Sequence, residues 1–288
     1  MKLPAFDYAC PATLTEAIAL LAERAGEAKP LAGGQSLMPM MAFRVALPRL
    51  LVDLRKIPGL TNISISDDGV RLGAMVRWRT ILEDARLAKA NPLLVAAVAH
   101  VGHYQIRNRG TVGGSLAHAD PAAEMPGIAI TCDAEISAIG TAGMRVIKAA
   151  DFFVGTLTTV LKADEIITEI RFPAWRPNRR YGFQEFAPRR GDFAMSGVAL
   201  YYDPNGNGKA ANAHVGVFGV ADRPLRLTTV EAALNGHVVN DSTIATAAEM
   251  ASSAVNPRDD IHASAAYRRS LTGTMVERAL QYAAKLSW

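Results

Sequence analysis

The apolar residues of this chain fall into short runs whose period changes along its length. Leu14, Ala17, Ile18 and Leu21 recur at helical spacing behind the capping box Thr13-x-x-Glu16, which predicts a helix to about residue 24, stopped by Gly26. A short edge strand over 2–8 precedes it. Residues 29–32 read as a strand that delivers the chain into Gly33-Gly34, 36–43 as a helical segment interrupted by Pro39, and 50–54 as a buried strand. This is a βαβ-like unit with a glycine turn at a strand end, a favoured place for ligands in α/β sheets.

The period then shortens. Residues 60–66 alternate, and Asp68-Gly69 turns them back into 70–73, a hairpin. Helices are predicted over 79–88 and 92–100, the second opened by Pro92 and ended by Gly102, and another over 123–131. Strands at 134–139 and 144–148 pair through Thr141-Ala142-Gly143, and 165–172 is a further strand. Residues 173–180 carry two prolines and three arginines without a period and read as a linker. Beyond it come strands at 181–187, 197–202 and 212–220, then helices at 228–234, 242–254 and 265–284. Strands followed by helices predict an α+β unit with helices packed on one face of an antiparallel sheet.

Composition narrows the function. Half of the 288 residues are hydrophobic and 20% are charged, an ordinary globular balance. The net charge of +4 comes without a basic block or an aromatic-interleaved basic stripe, which argues against a nucleic-acid partner. Two distant cysteines, Cys10 and Cys132, form no CxxC, so neither a zinc site nor an iron–sulfur cluster is expected in this chain. No disulfide framework is possible, no leader-like apolar run opens the chain, and no stretch of about 18 apolar residues exists. The expectation is a cytoplasmic protein without a membrane span.

The candidate chemistry sits in two glycine segments, Leu31-Ala32-Gly33-Gly34-Gln35-Ser36-Leu37 and Gly110-Thr111-Val112-Gly113-Gly114-Ser115-Leu116-Ala117-His118-Ala119-Asp120-Pro121. Paired glycines allow close backbone approach and positive φ, and their exposed N–H groups can form a nest for an anion such as a pyrophosphate. Either segment alone is more often a plain tight turn than a ligand site. Two of them suggest one dinucleotide held from two sides. The spacing matches neither G-x-G-x-x-G nor G-x-x-x-x-G-K-[ST], so a Rossmann or P-loop site is disfavoured. His118 reads as a donor to the ligand or as a turn histidine satisfied by backbone. Asp120 and Glu124 read as first-turn acids of the helix that follows, or as acceptors from ribose or ribityl hydroxyls. His100 and His103 lack a third ligand at metal spacing, and a helix-dipole role suits His100 better. Arg189-Arg190-Gly191-Asp192-Phe193 is an exposed turn or a lid whose Phe193 stacks on a flat ring. No G-x-S-x-G elbow marks a hydrolase.

The two glycine segments, with Gln105-Ile106-Arg107-Asn108-Arg109 before the second, Asp120-Pro121, Met125-Pro126, Arg189 to Ala194 and Tyr267-Arg268-Arg269, resemble the FAD-binding medium subunit of molybdenum hydroxylases, the carbon monoxide dehydrogenase and xanthine dehydrogenase group. The resemblance spans essentially the whole chain. It implies a two-subdomain FAD-binding (PCMH-type) N-terminal region, 1–56 and 57–173, and a C-terminal α+β domain of antiparallel sheet with helices, 178–288. It places noncovalent FAD on Ala32, Gly33, Gly34, Gln35, Ser36 and Leu37 and on Thr111, Gly113, Gly114 and Ser115. His118, Asp120 and Glu124 would lie along the ribityl and ring, with Asp192 and Phe193 beside the isoalloxazine.

It implies no catalytic acid–base residue and no metal here. Electrons would arrive from a [2Fe–2S] small subunit, fed by a molybdopterin-binding large subunit in a dimer of heterotrimers, and leave to an external acceptor. Gln35 and Ser115 stand where the family commonly has histidine and asparagine. Glu185 stands where many relatives carry lysine near the flavin edge, and a charged acid there disfavours an anionic reduced flavin. The rival expectations are a stand-alone flavin-dependent reductase of the same fold, for which no proton donor stands out, and an FAD-free scaffold subunit.

Overall fold

The computed structural model describes residues 2–286. Its first unit is built from β1 (Asp7–Ala9), α1 (Leu14–Glu23), β2 (Ala28–Leu31), α2 (Leu37–Ala42) and β3 (Leu50–Asp53). The strands form a parallel sheet in the order β1-β3-β2, so the βαβ reading holds. Thr13 Oγ1 accepts from the Glu16 amide while the Glu16 carboxylate reaches back to the Thr13 amide, which closes the expected capping box.

The second unit starts with β4 (Ile63–Ser66) and β5 (Gly69–Gly73) and runs through α3 (Trp78–Glu83), α4 (Ala85–Ala90), α5 (Pro92–Val98), α6 (Tyr104–Arg107), α7 (Val112–His118) and α8 (Glu124–Thr131). It closes with β6 (Glu135–Gly140), β7 (Gly143–Lys148), α9 (Ala149–Phe152), a small ribbon of β8 (Phe153–Gly155) and β9 (Thr158–Thr159), and β10 (Ile166–Pro173). The sheet order is β4-β5-β10-β6-β7, antiparallel throughout. Here three expectations change. The helix predicted over 79–88 breaks at Asp84, whose carboxylate accepts from the Arg86 amide and so caps a new helix. Residues 104–107 form a helix that their polar composition did not announce. Gly113-Gly114 is no turn but the first turn of α7.

The third unit has β11 (Arg180–Phe186), β12 (Ser196–Pro204), β13 (Ala210–Phe218), β14 (Leu225–Arg226), α10 (Thr228–Leu234), α11 (Asp241–Ala254) and α12 (Ala265–Lys285), with its strands antiparallel in sequence order. Strand periodicity decides its packing. Val198, Leu200 and Tyr202 point to one core with Val230, Ile244 and Val276 from its own helices. Ala199, Tyr201, Phe183 and Phe218 point the other way and join the core of the second unit with Leu94, Val98 and Ile128. The sheet is therefore covered on both faces, not one: α5 and α8 supply the second layer. The expected linker is pinned. Arg179 is buried, pairs with Asp203 at 2.7 Å and stacks over Tyr201 at 4.0 Å.

Candidate cofactor site

Gly33 and the second glycine segment touch directly. A Cβ on Gly33 would fall inside the Arg109 carbonyl oxygen and only 2.9 Å from Gly110 Cα, so the loop after β2 lies backbone to backbone against the entry to α7. Gly34 is left-handed at φ 71. Among the described residues the amides of Gly33, Gly34, Gln35 and Ser36 donate to nothing, while Gln35 Nε2 folds back on the Gly33 carbonyl at 3.1 Å and Ser36 leaves its hydroxyl uncommitted at the start of α2. Four consecutive free amides around a left-handed glycine form an anion nest. An unpaired donor run of this kind is costly unless water or a ligand satisfies it.

The second segment behaves differently, against the expectation of a matching nest. The Val112 amide donates to Val76 O at 3.0 Å, the Gly113 amide to Ala74 O at 2.8 Å, and the Gly114 amide to Thr111 Oγ1 at 3.2 Å. Thr111 is a helix N-cap, and Gly113 is glycine because Ala74 Cβ sits 2.5 Å from where its own Cβ would be. Gly114 is the one that faces the nest: Ala32 Cβ lies 3.5 Å from its missing side chain. The cradle thus has one wall of free amides and one wall of close-packed glycine surface, with Ser115 next along α7.

From there α7 leads outward. It ends at Ala119 in the left-handed region, and Asp120 Oδ1 accepts from the Ala122 amide at 2.9 Å. His118 Nε2 lies 3.9 Å from Asp120 Oδ2, too far for a hydrogen bond, and burial holds the imidazole below its ordinary pKa, so it is a neutral donor or acceptor. Glu124 occupies the first turn of α8. A helix dipole favours an ionised acid there by less than about 1 kcal/mol at most exposed sites. Burial wins: with the nearby charge of Glu185, and a smaller push from Asp120, it lifts the carboxyl from an ordinary 4.5 to about 8. Glu124 is therefore neutral at pH 7, which corrects the reading of it as a dipole-stabilised anion.

Asp192 and Phe193 arrive from the β11–β12 loop. Gly191 there, at φ 91, packs on His103 and the Gly102 carbonyl. Phe193 stands 61% exposed with no aromatic partner among the described residues, an open face for stacking. Neither residue touches the nest itself. A further group that spacing could not reveal is Glu185 on β11, with His100 Nδ1 3.3 Å from its Oε1. His100 is thus a carboxylate partner and not merely a helix-end cation. Two residues near in space but 85 apart in sequence leave no local signal, and only the resemblance had singled out Glu185.

Without cofactor, the fold favours the neutral form of Glu124, so that contribution to stability is complete below about pH 4.5 and is lost as pH rises through about 8. At about 1.36 kcal/mol per pKa unit the ceiling is roughly 5 kcal/mol. Glu124→Gln is expected to stabilise the flavin-free chain by on the order of 3 kcal/mol at pH 9 and hardly at all at pH 5, read from denaturation midpoints. Equal effects at both pH values would contradict a neutral Glu124.

Residues 4–175 match the family model described as the FAD binding domain in molybdopterin dehydrogenase, and residues 181–283 the CO dehydrogenase flavoprotein C-terminal domain. The chain therefore belongs to the FAD-binding medium subunits of the molybdenum hydroxylase-type dehydrogenases. It is 39% identical to the nicotine 6-hydroxylase medium subunit of Paenarthrobacter nicotinovorans over 97% of this chain and 98% of the relative. It is 34% identical to the carbon monoxide dehydrogenase medium chain of Hydrogenophaga pseudoflava, over 97% of each. Its structure superimposes on a chain of quinoline 2-oxidoreductase from Pseudomonas putida 86 with a TM-score of 0.94 at 40% identity, covering 99% of both. The chain is a flavoprotein component of an oxidoreductase and its cofactor is FAD, which sets aside an FAD-free scaffold. No helix among the described residues is long and apolar enough to cross a membrane.

Proposed function

We propose that this chain is the flavin relay of a cytoplasmic molybdenum hydroxylase, receiving electrons from a [2Fe–2S] small subunit and passing them to an external acceptor. The observation that carries the reading is the run of four free amides at Gly33, Gly34, Gln35 and Ser36, a fitting seat for a pyrophosphate. Ser36, Leu37, Gly114 and Ser115 would complete that seat, with Thr111 and Gly113 shaping it from behind. His118, Asp120 and Glu124 would line the ribityl chain, and Asp192 and Phe193 would cover the ring. Bound there, FAD supplies the two-electron store; the chain's own task is to hold it, orient it and tune its electrostatics.

Its units would be 1–56, 57–173 and 178–288. A subunit role is supported by Phe43, Val45 and Leu47, which stand 69%, 70% and 61% exposed on one loop after α2. The partners would be the [2Fe–2S] subunit and a molybdopterin-binding large subunit, in a dimer of heterotrimers. Nicotine and quinoline, in the names of two relatives, are both nitrogen heterocycles, and specificity for such a substrate would rest with the large subunit.

Glu124 favours a second reading, a stand-alone flavin reductase, because a carboxyl neutral at pH 7 is the proton donor that the sequence lacked. An absorption spectrum of the purified chain, alone and with co-expressed partners, separates the two. The relay predicts about one acid-releasable FAD per chain, iron–sulfur bands only with partners, and slow turnover alone. Rapid turnover of NADPH with a small substrate by the isolated chain would favour the reductase, and no flavin in any preparation would defeat both.

A further inference from the structure

Glu185 is the one charged side chain of this site that the fold leaves unanswered. Its side chain is 6% exposed, its Oε1 lies 3.3 Å from His100 Nδ1, and its Oε2 is buried with no hydrogen-bond partner. Buried polar atoms without partners are rare and need a reason. Glu124 stands at the start of α8, where the Glu185 charge adds to burial in raising the cost of ionising it. The surrounding elements add no fixed cation. The α7–α8 turn brings Asp120, a further negative charge, with His118 beside it. Arg107 of α6 donates to the Val101 and Gly102 carbonyls. Arg268 of α12 is spent on Met195 O, Gly219 O and Asp260. Among the described residues no lysine or arginine lies within ion-pair distance of Glu124 or Glu185, and the His100 imidazole, leaning on Phe183 at 4.9 Å, is the sole basic group within that distance of Glu185.

Acids and bases that interact strongly exchange protons as a set. We propose that Glu185, Glu124 and His100 form a proton-holding cluster beside the flavin, which takes up one proton from water when negative charge arrives on the cofactor. The inference rests on the flavin reading above. The step balances as a proton transfer: the electrons come from outside the chain, one solvent hydronium ion gives up a proton and becomes water as its O–H bond breaks, and one O–H or N–H bond forms within the cluster. The orphaned Oε2 of Glu185 is the vacant proton position. Uptake of a proton with the electrons makes the flavin potential depend on pH beyond what the free cofactor shows, and lets the subunit accept electrons without burying a net extra charge.

The test uses the full chain loaded with FAD, wild type against Glu185→Gln and His100→Gln. Glu185→Gln removes a negative charge and is expected to raise the midpoint potential at pH 8 by at least about 30 mV, tenfold in a two-electron equilibrium, and to flatten its pH dependence. His100→Gln removes the basic group and is expected to shift the potential the opposite way, which a merely structural role for either residue would not produce. Potentials and slopes unchanged in both variants, at full FAD content, would overturn the proposal and leave the flavin reading intact. Infrared titration of the flavin-free chain supplies a readout independent of the cofactor. The protonated-carboxyl band is expected to disappear in Glu124→Gln and to titrate at lower pH in Glu185→Gln, and an unmoved titration in the latter would also overturn the cluster. Wild-type chain that never binds FAD would strike the flavin reading instead, and the infrared experiment would still decide whether the three residues titrate together.

Discussion

Gly33→Ala is expected to strip the chain of FAD and to destabilise it by about 3 kcal/mol or more, at the upper end of what overpacking costs. The new methyl would overlap the Arg109 carbonyl and approach Gly110 Cα at 2.9 Å. Neither side yields easily. Leu31, two residues before, is paired with Asp53 in the parallel sheet, and Gly110 is held by its amide to Ile106 O at 2.7 Å. Separation of the two backbones would move the four free amides away from the α7 wall, so cofactor and stability should be lost together. Gly114→Ala should be milder, because its methyl meets the Thr111 hydroxyl at 2.8 Å, a rotatable group whose loss as a cap costs about 1 kcal/mol. Gly206→Ala has nothing within 4 Å and serves as the control. The measurement is the FAD-to-protein ratio after desalting, beside a thermal melt. A Gly33→Ala protein that keeps one FAD per chain would mean that the cradle is not where we place it.

The second large effect is expected for Phe218→Ala, at about 3–5 kcal/mol. Phe218 is fully buried at the end of β13, where its ring fills the space left by two glycines: a Cβ on Gly127 of α8 would lie 2.6 Å from the ring, and one on Gly197 of β12 would overlap it. It also stacks on Phe183 at 5.9 Å. This one ring therefore joins the helix that carries Glu124 to the sheet that carries Glu185 and the Phe193 loop. Its removal should loosen FAD as well as the fold, visible as faster flavin release at denaturant concentrations below the unfolding transition. A loss under 1 kcal/mol would show that the units pack independently of it.

Much of this was legible in the chain itself. Period and punctuation placed the long C-terminal helices and most of the major strands to within a few residues, because each shows its face to a core through its own spacing. The nest at Gly33-Gly34 was legible for the same reason, as local backbone chemistry. Its apparent twin at Gly113-Gly114 was misread: the same dipeptide serves there as helix surface packed on Ala74, and only tertiary contact distinguishes the two uses. The break at Asp84 shows a short polar side chain overriding a continuous helical pattern. The Glu185–His100 contact and the neutrality of Glu124 belong to no segment at all, since they arise where β11, α5 and α8 converge.

The strand order of the second sheet has a consequence for how the chain is made. β10 lies between β5 and β6, yet about a hundred residues are synthesised between β5 and β10. Until residue 173 leaves the ribosome, two finished hairpins wait with open inner edges, and unpaired edges invite pairing with other chains. The nascent N-terminal half is thus its own aggregation hazard during elongation. Eight late residues, Ile166–Pro173, join two sticky ribbons into one continuous sheet.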